Sequence, residues 1–197
     1  HVDEGMAALL EAGDAPAALV TLGLNHEQQH QELFLTDILH AFAQNPTRPA
    51  YRKPEPLPVG LPPTDEGWVT HPGGLITIGA SDEGFSFDCE GPAHQVHLTP
   101  FKLKSRAVTN AEWKAFIADG GYQNPLLWLS DGWATCQSQG WTAPLYWDEA
   151  DGEWFSMTLR GWQPVDDNAP VTHVSFYEAD AFATWAGHRL PREAEWE

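Results

Sequence analysis

Leu24-Asn25-His26-Glu27-Gln28-Gln29-His30-Gln31-Glu32-Leu33-Phe34-Leu35-Thr36-Asp37-Ile38-Leu39-His40 is the stretch on which the reading of this chain turns. Leu19, Leu22, His26, His30, Leu33 and Asp37 recur at three- and four-residue steps, and Leu35, Ile38, Leu39 and Phe42 form an apolar stripe. Both are marks of an α-helix. At about 100° per residue, His26 and His30 fall about 40° apart on one face, where two imidazoles can hold one divalent metal. Asn25 and Gln29 keep that face polar. Glu32 points to the far side and reads as a surface charge.

Outward from this segment the pattern changes twice. Upstream, Val2, Met6, Leu9 and Leu10 continue a helical pattern, so residues 1–44 read as helical up to Asn45-Pro46, which stops the run. Residues 45–66 hold Pro46, Pro49, Pro54, Pro56, Pro58, Pro62 and Pro63, seven of the 16 prolines, and read as an inter-domain linker. From Gly67 onward, residues 68–70, 75–78, 95–98 and 101–104 are short β-like runs separated by Gly73-Gly74, Gly79 and Pro100. Two capping boxes announce helices. Thr109 with Glu112 opens one that ends at Gly120-Gly121, and Ser175 with Glu178 opens one that ends at Gly187. A third start is expected at Pro191. Residues 121–170, rich in Trp, Gly and Asp, read as a long irregular stretch. The fold class is α+β in two parts: residues 1–44 as helices of a bundle, and residues 67–197 as a mixed domain.

Composition narrows the function classes. With 28 acidic against 10 basic residues the net charge is −18, which repels phosphate backbones and argues against nucleic acid as a partner. No run approaches the roughly 20 apolar residues of a membrane span, and His1-Val2-Asp3-Glu4 has no signal-peptide character. Cys89 and Cys136 form neither a CxxC pair nor a disulfide framework, so a reducing, cytoplasmic setting and two free, buried thiols are expected. The absence of an initiator Met, and a last helix with no stop signal, lead us to expect further residues on both sides.

Taken literally, His26-Glu27-Gln28-Gln29-His30 also matches the H-E-x-x-H pattern of zinc peptidases, with Glu27 as general base. That chemistry needs a third ligand, for which His40, His71 and Glu90 are the candidates. Spacing alone does not separate iron from zinc. A non-catalytic binding module displaying Trp-rich loops is a further alternative.

Residues 24–40 resemble the metal-binding helix of ergothioneine-biosynthesis sulfoxide synthases (hercynine oxygenases), which lies in a four-helix domain of the DinB type. The remainder is similar to the sulfatase-modifying-factor, or formylglycine-generating-enzyme-like, domain, a mixed C-type-lectin-like fold. The matching blocks are Gly73-Gly74 with Ile78-Gly79, residues 90–94, 108–110, 120–122, 128–133, 143–147 and 170–175, and the run from Glu178 through Arg189-Leu190-Pro191 to Trp196. The resemblance implies a non-haem Fe(II) enzyme that uses O₂ to join hercynine to a thiol, γ-glutamylcysteine or cysteine, as a sulfoxide. It implies His26 and His30 as two of three metal ligands and Gln29 as a contact to the imidazole of the sulfur acceptor. The third histidine is expected upstream, and the catalytic tyrosine beyond Glu197. Trp128, Trp133, Trp141 and Trp147 are candidates for an aromatic wall around a trimethylammonium group, or for core packing. Formylglycine generation needs a late cysteine pair, which Cys89 and Cys136 do not form.

Overall fold

The computed structural model describes residues 1–13, 15–53, 67–81 and 83–197. Helices and short antiparallel strands are mixed, as the α+β reading required. The helical N-terminal part is two helices, not one run. Helix α1 (Val2–Ala12) ends on Gly13, whose φ of 72° is left-handed, and α2 (Ala17–Gln44) starts from Pro16. Glycine after a helix and proline before the next are the ordinary punctuation for such a break. Within α2, Leu39 is buried and Leu35, Ile38 and Phe42 are half-buried, whereas Leu19, Leu22 and Leu33 are exposed. The stripe read from the sequence is thus the face that packs.

Strands β1 (Trp68–His71), β2 (Gly74–Ile78), β3 (His94–Leu98) and β4 (Phe101–Lys104) form two antiparallel pairs. β1 pairs with β4, Trp68 opposite Lys104; β2 pairs with β3, Gly74 opposite Leu98. Helix α3 (Asn110–Ala118) carries the capping box expected at Thr109, with the Thr109 hydroxyl accepting from the Glu112 N–H and the Glu112 carboxylate accepting from the Thr109 N–H.

The Trp-rich stretch is where the structure departs from the sequence reading. It holds a helix, α4 (Ser130–Gln139), and a three-stranded antiparallel meander of β5 (Trp147–Ala150), β6 (Glu153–Thr158) and β7 (Gly161–Pro164). Asp151 (φ 52°) and Gly152 (φ 81°) make the two-residue turn between β5 and β6. Asp-Gly is a strong short-range signal for such a hairpin. Helix α5 (Phe176–Trp185) is capped by Ser175 and Glu178 as expected. The last helix, α6 (Glu193–Trp196), begins two residues after Pro191, with Arg192 as its cap.

One aromatic core ties α3, α4 and α5 together. Trp113, Phe116, Tyr122, Trp128, Cys136, Ala181 and Phe182 are buried in it, with Trp113 stacked on Phe182 at 4.9 Å. Two glycines allow the close approach. A Cβ on Gly121 would lie 2.2 Å from the Phe116 ring, and one on Gly132 would lie 2.6 Å from the Tyr177 Cβ. The proline-rich segment falls largely on residues 54–66, outside the described residues. Its first part, 45–53, lies against the meander: the Arg52 N–H donates to the Leu159 carbonyl at 2.9 Å. Among the described residues no helix is long and apolar enough to cross a membrane.

Candidate metal centre

His26 and His30 sit in the middle of α2, on the flank turned away from the meander. Both are exposed, as are Glu27, Gln29 and Glu32. The two imidazole rings lie 4.6 Å apart between centres and 87° from coplanar. Two imidazoles bound at about 2.1 Å to one ion, at right angles about it, hold their ring centres about 4.6 Å apart. The pair therefore has the spacing of two adjacent positions around a single divalent ion. Gln29 is next to His30 in the sequence and is exposed on the same helix. Asn25 is turned back on its own helix, donating from Nδ2 to the Thr21 carbonyl at 2.9 Å.

The other candidate ligands are engaged elsewhere. His40 Nδ1 lies 3.2 Å from the Tyr146 hydroxyl. His71 stacks on Phe101 and accepts the Gly73 N–H. Glu90 accepts the Phe87 N–H at 2.6 Å. Among the described residues no group of three or more His, Cys, Asp or Glu side chains converges in a way suited to a metal. The structure thus brings together His26 and His30 and, among the described residues, adds no third ligand from the peptidase candidates.

Of the two readings of the tryptophans, core packing holds for three. Trp128 is buried and donates from Nε1 to the Gly121 carbonyl at 2.8 Å, while Trp133 and Trp141 pack on the same aromatic core. These three are structural. Trp147 lies on β5 against Trp154 at 5.8 Å. Both cysteines are free; Cys136 is buried as expected, but Cys89 is exposed.

What the sequence reading missed is how α2 is held. Arg48, just past the helix, pairs with Asp148 of β5 at 3.0 Å, and its guanidinium lies 3.7 Å above the Trp162 ring of β7. Partners a hundred residues apart leave no local pattern to read. Tyr146 and His173 were also passed over as individual residues. Both are non-glycine residues in the left-handed region (φ 74° and 60°), and their rings meet at 4.9 Å. Such backbone costs on the order of 1–3 kcal/mol each and persists only where its surroundings enforce it. Here the Leu145 N–H donates to the His173 carbonyl and the Met157 N–H to the Tyr146 carbonyl. Burial pushes the His173 pKa down and the Tyr146 pKa up.

Residues 55–197 match the sulfatase-modifying factor enzyme 1-like domain, and the chain belongs to that family. Within it, the chain is 41% identical over 187 residues to the hercynine oxygenase of Mycolicibacterium smegmatis, covering 93% of this chain and 42% of that protein. It is 38% identical over 199 residues to the hercynine oxygenase of Mycobacterium tuberculosis, covering 98% of this chain and 44% of that protein. The formylglycine-generating enzyme of Thermomonospora curvata is 36% identical over 156 residues, 67% of this chain and 48% of that protein. The chain spans about two-fifths of the length of these hercynine oxygenases.

Proposed function

We propose that this chain is part of an Fe(II)- and O₂-dependent sulfoxide synthase of ergothioneine biosynthesis, joining hercynine to γ-glutamylcysteine or cysteine. The observation that carries the reading is the pair His26 and His30, one helical turn apart with ring centres 4.6 Å apart. That pair lies in a chain whose similarity to hercynine oxygenases runs through both its helical and its mixed parts. In this reading residues 1–44 belong to a DinB-like helical metal-binding domain, 45–66 link it onward, and 67–197 form the formylglycine-generating-enzyme-like domain. The setting is cytoplasmic.

Each residue then has a defined task. His26 and His30 donate neutral imidazole nitrogens, which leaves the charge of a ferrous ion uncompensated and favours an anionic sulfur donor nearby. When bound, Fe(II) supplies open positions at which the thiol and O₂ meet. The Gln29 amide carries both a donor and an acceptor, so it can orient the imidazole of hercynine whichever nitrogen bears the proton. Holding acceptor ring and sulfur side by side replaces a collision by a positioned encounter. The apolar stripe of α2, seated on the meander, fixes the direction in which the histidine pair faces. The third ligand and the catalytic tyrosine are assigned to residues outside 1–197.

The test is oxygen consumption by the intact, iron-loaded protein. Uptake that requires both hercynine and γ-glutamylcysteine or cysteine, with a sulfoxide product by mass spectrometry, is expected. Peptide cleavage that depends on zinc and Glu27, or oxygen uptake indifferent to hercynine, would overturn the assignment.

A further inference from the structure

Asp37 shares the flank of α2 that carries His26 and His30. At about 100° per residue it falls between them, about 20° from each, and about 10.5 Å beyond His30 along the axis. Glu27 stands about 60° round from His30, level with the pair, and Glu32 lies on the far side. Leu35 and Leu39, about 140° and 180° from His30, instead wall a cavity of about 520 Å³ behind the helix.

Asp37 is exposed, and α2 contains no Lys or Arg. No ion pair or hydrogen bond with a described residue engages its carboxylate. Most surface acids only meet water; the neighbours of Asp37 set it apart. Toward the N-terminus the histidine flank continues through Leu22 and Leu19, both exposed and apolar. Toward the C-terminus it continues through Leu33, then Asp37, then His40 at its edge. His40 Nδ1 lies 3.2 Å from the Tyr146 hydroxyl, which brings an aromatic ring of the mixed domain to the next turn after Asp37. A carboxylate followed by an aromatic ring suits a quaternary ammonium, which offers charge and methyl groups but no N–H to donate. Hercynine carries such a group on the chain that leaves its imidazole. With that ring beside the histidine pair, the flank offers the charge a counterion in one direction and bare leucines in the other.

We infer that Asp37 is a specificity-determining residue for the sulfur acceptor. Its carboxylate faces the trimethylammonium of hercynine while the imidazole lies beside His26 and His30, and Leu33 underlies the chain between them. The inference rests on the reading of hercynine as substrate and names the group that recognises its charged end.

The test is calorimetric titration of the intact, iron-loaded protein without oxygen. The ligands are hercynine and 3-(imidazol-4-yl)propanoate, which keeps the ring and the carboxylate and lacks the ammonium. Wild type is expected to bind hercynine at least about fivefold more tightly, the order expected of one partly screened opposite charge at about 5 Å. Asp37→Asn should erase that preference by weakening hercynine alone, and added salt should shrink the preference in the wild type. γ-Glutamylcysteine, which carries a primary ammonium, should bind Asp37→Asn as it binds the wild type. Iron content should be equal in the two proteins. No preference in the wild type, an unchanged preference in Asp37→Asn, equal weakening of both imidazole ligands, weakening of the thiol instead, or loss of iron would each overturn the inference and leave the hercynine reading standing. Failure of the wild type to bind hercynine at all would overturn that reading, and the inference with it.

Discussion

Glu112 shows what one carboxylate does for this fold. Partial burial pushes its pKa up, but hydrogen bonds from Arg106, Lys104 and the Thr109 N–H outweigh that and hold it at about 2, against an ordinary value of 4.5. A depressed folded-state pKa contributes stability that is full above 4.5 and is lost as pH falls toward 2. The melting temperature of wild type should therefore exceed that of Glu112→Gln at pH 6, and the gap should close steadily between pH 4.5 and 2; a gap independent of pH would contradict the ion-pair account. Tyr122 makes the complementary case. Its hydroxyl donates to the buried Glu178 carboxylate at 2.6 Å, and burial followed by that negative charge pushes its pKa well above the ordinary value. Tyr122→Phe removes the donor and leaves a buried carboxylate oxygen short of one partner. A loss of about 1–3 kcal/mol in denaturant unfolding is expected. Both capping carboxylates, Glu112 and Glu178, were legible as capping boxes because that signal is local. Their second partners, Lys104 and Tyr122, were not, because those come from elsewhere in the fold.

At the scale of elements, α4 and the meander explain why the Trp-rich stretch looked irregular. Ser130–Gln139 has few strong helix formers and a glycine in its first turn. Gly132 is there because Tyr177, 45 residues downstream on α5, packs where its Cβ would be. Such a reason is invisible until the two helices are side by side. Gly132→Ala should raise intrinsic helix propensity yet lower stability by about 1–3 kcal/mol through overpacking; a gain in melting temperature would contradict the packing argument. The β5–β6 hairpin did carry a local signal, Asp151-Gly152, masked by the irregular acidic and aromatic residues around it. The mount of α2 had none. Arg48→Ala removes an exposed ion pair and the contact with Trp162, together worth about 1–2 kcal/mol. Its effect should appear as faster hydrogen exchange at the C-terminal end of α2 rather than as global unfolding.

At the scale of the whole molecule, the two faces of α2 divide the work. One carries Leu35, Ile38, Leu39 and Phe42 toward the sheet domain, and the other carries His26 and His30 outward. The four- and three-residue spacing in residues 24–40 made both faces readable in advance, because helical periodicity is set by geometry alone. The cavity behind the helix was not readable, since its walls come from four separate segments of the chain. The histidines are exposed, so replacing them should leave stability within about 0.5 kcal/mol, and any loss of metal is then a loss of ligands rather than of fold. The measurement that bears most directly on this account is ferrous ion retained by the intact protein after anaerobic gel filtration, with His26→Ala/His30→Ala alongside and helix content followed by circular dichroism. Retention by the wild type and loss in the variant, at equal helicity, is the predicted result. Equal iron in both, or none in the wild type, would contradict it.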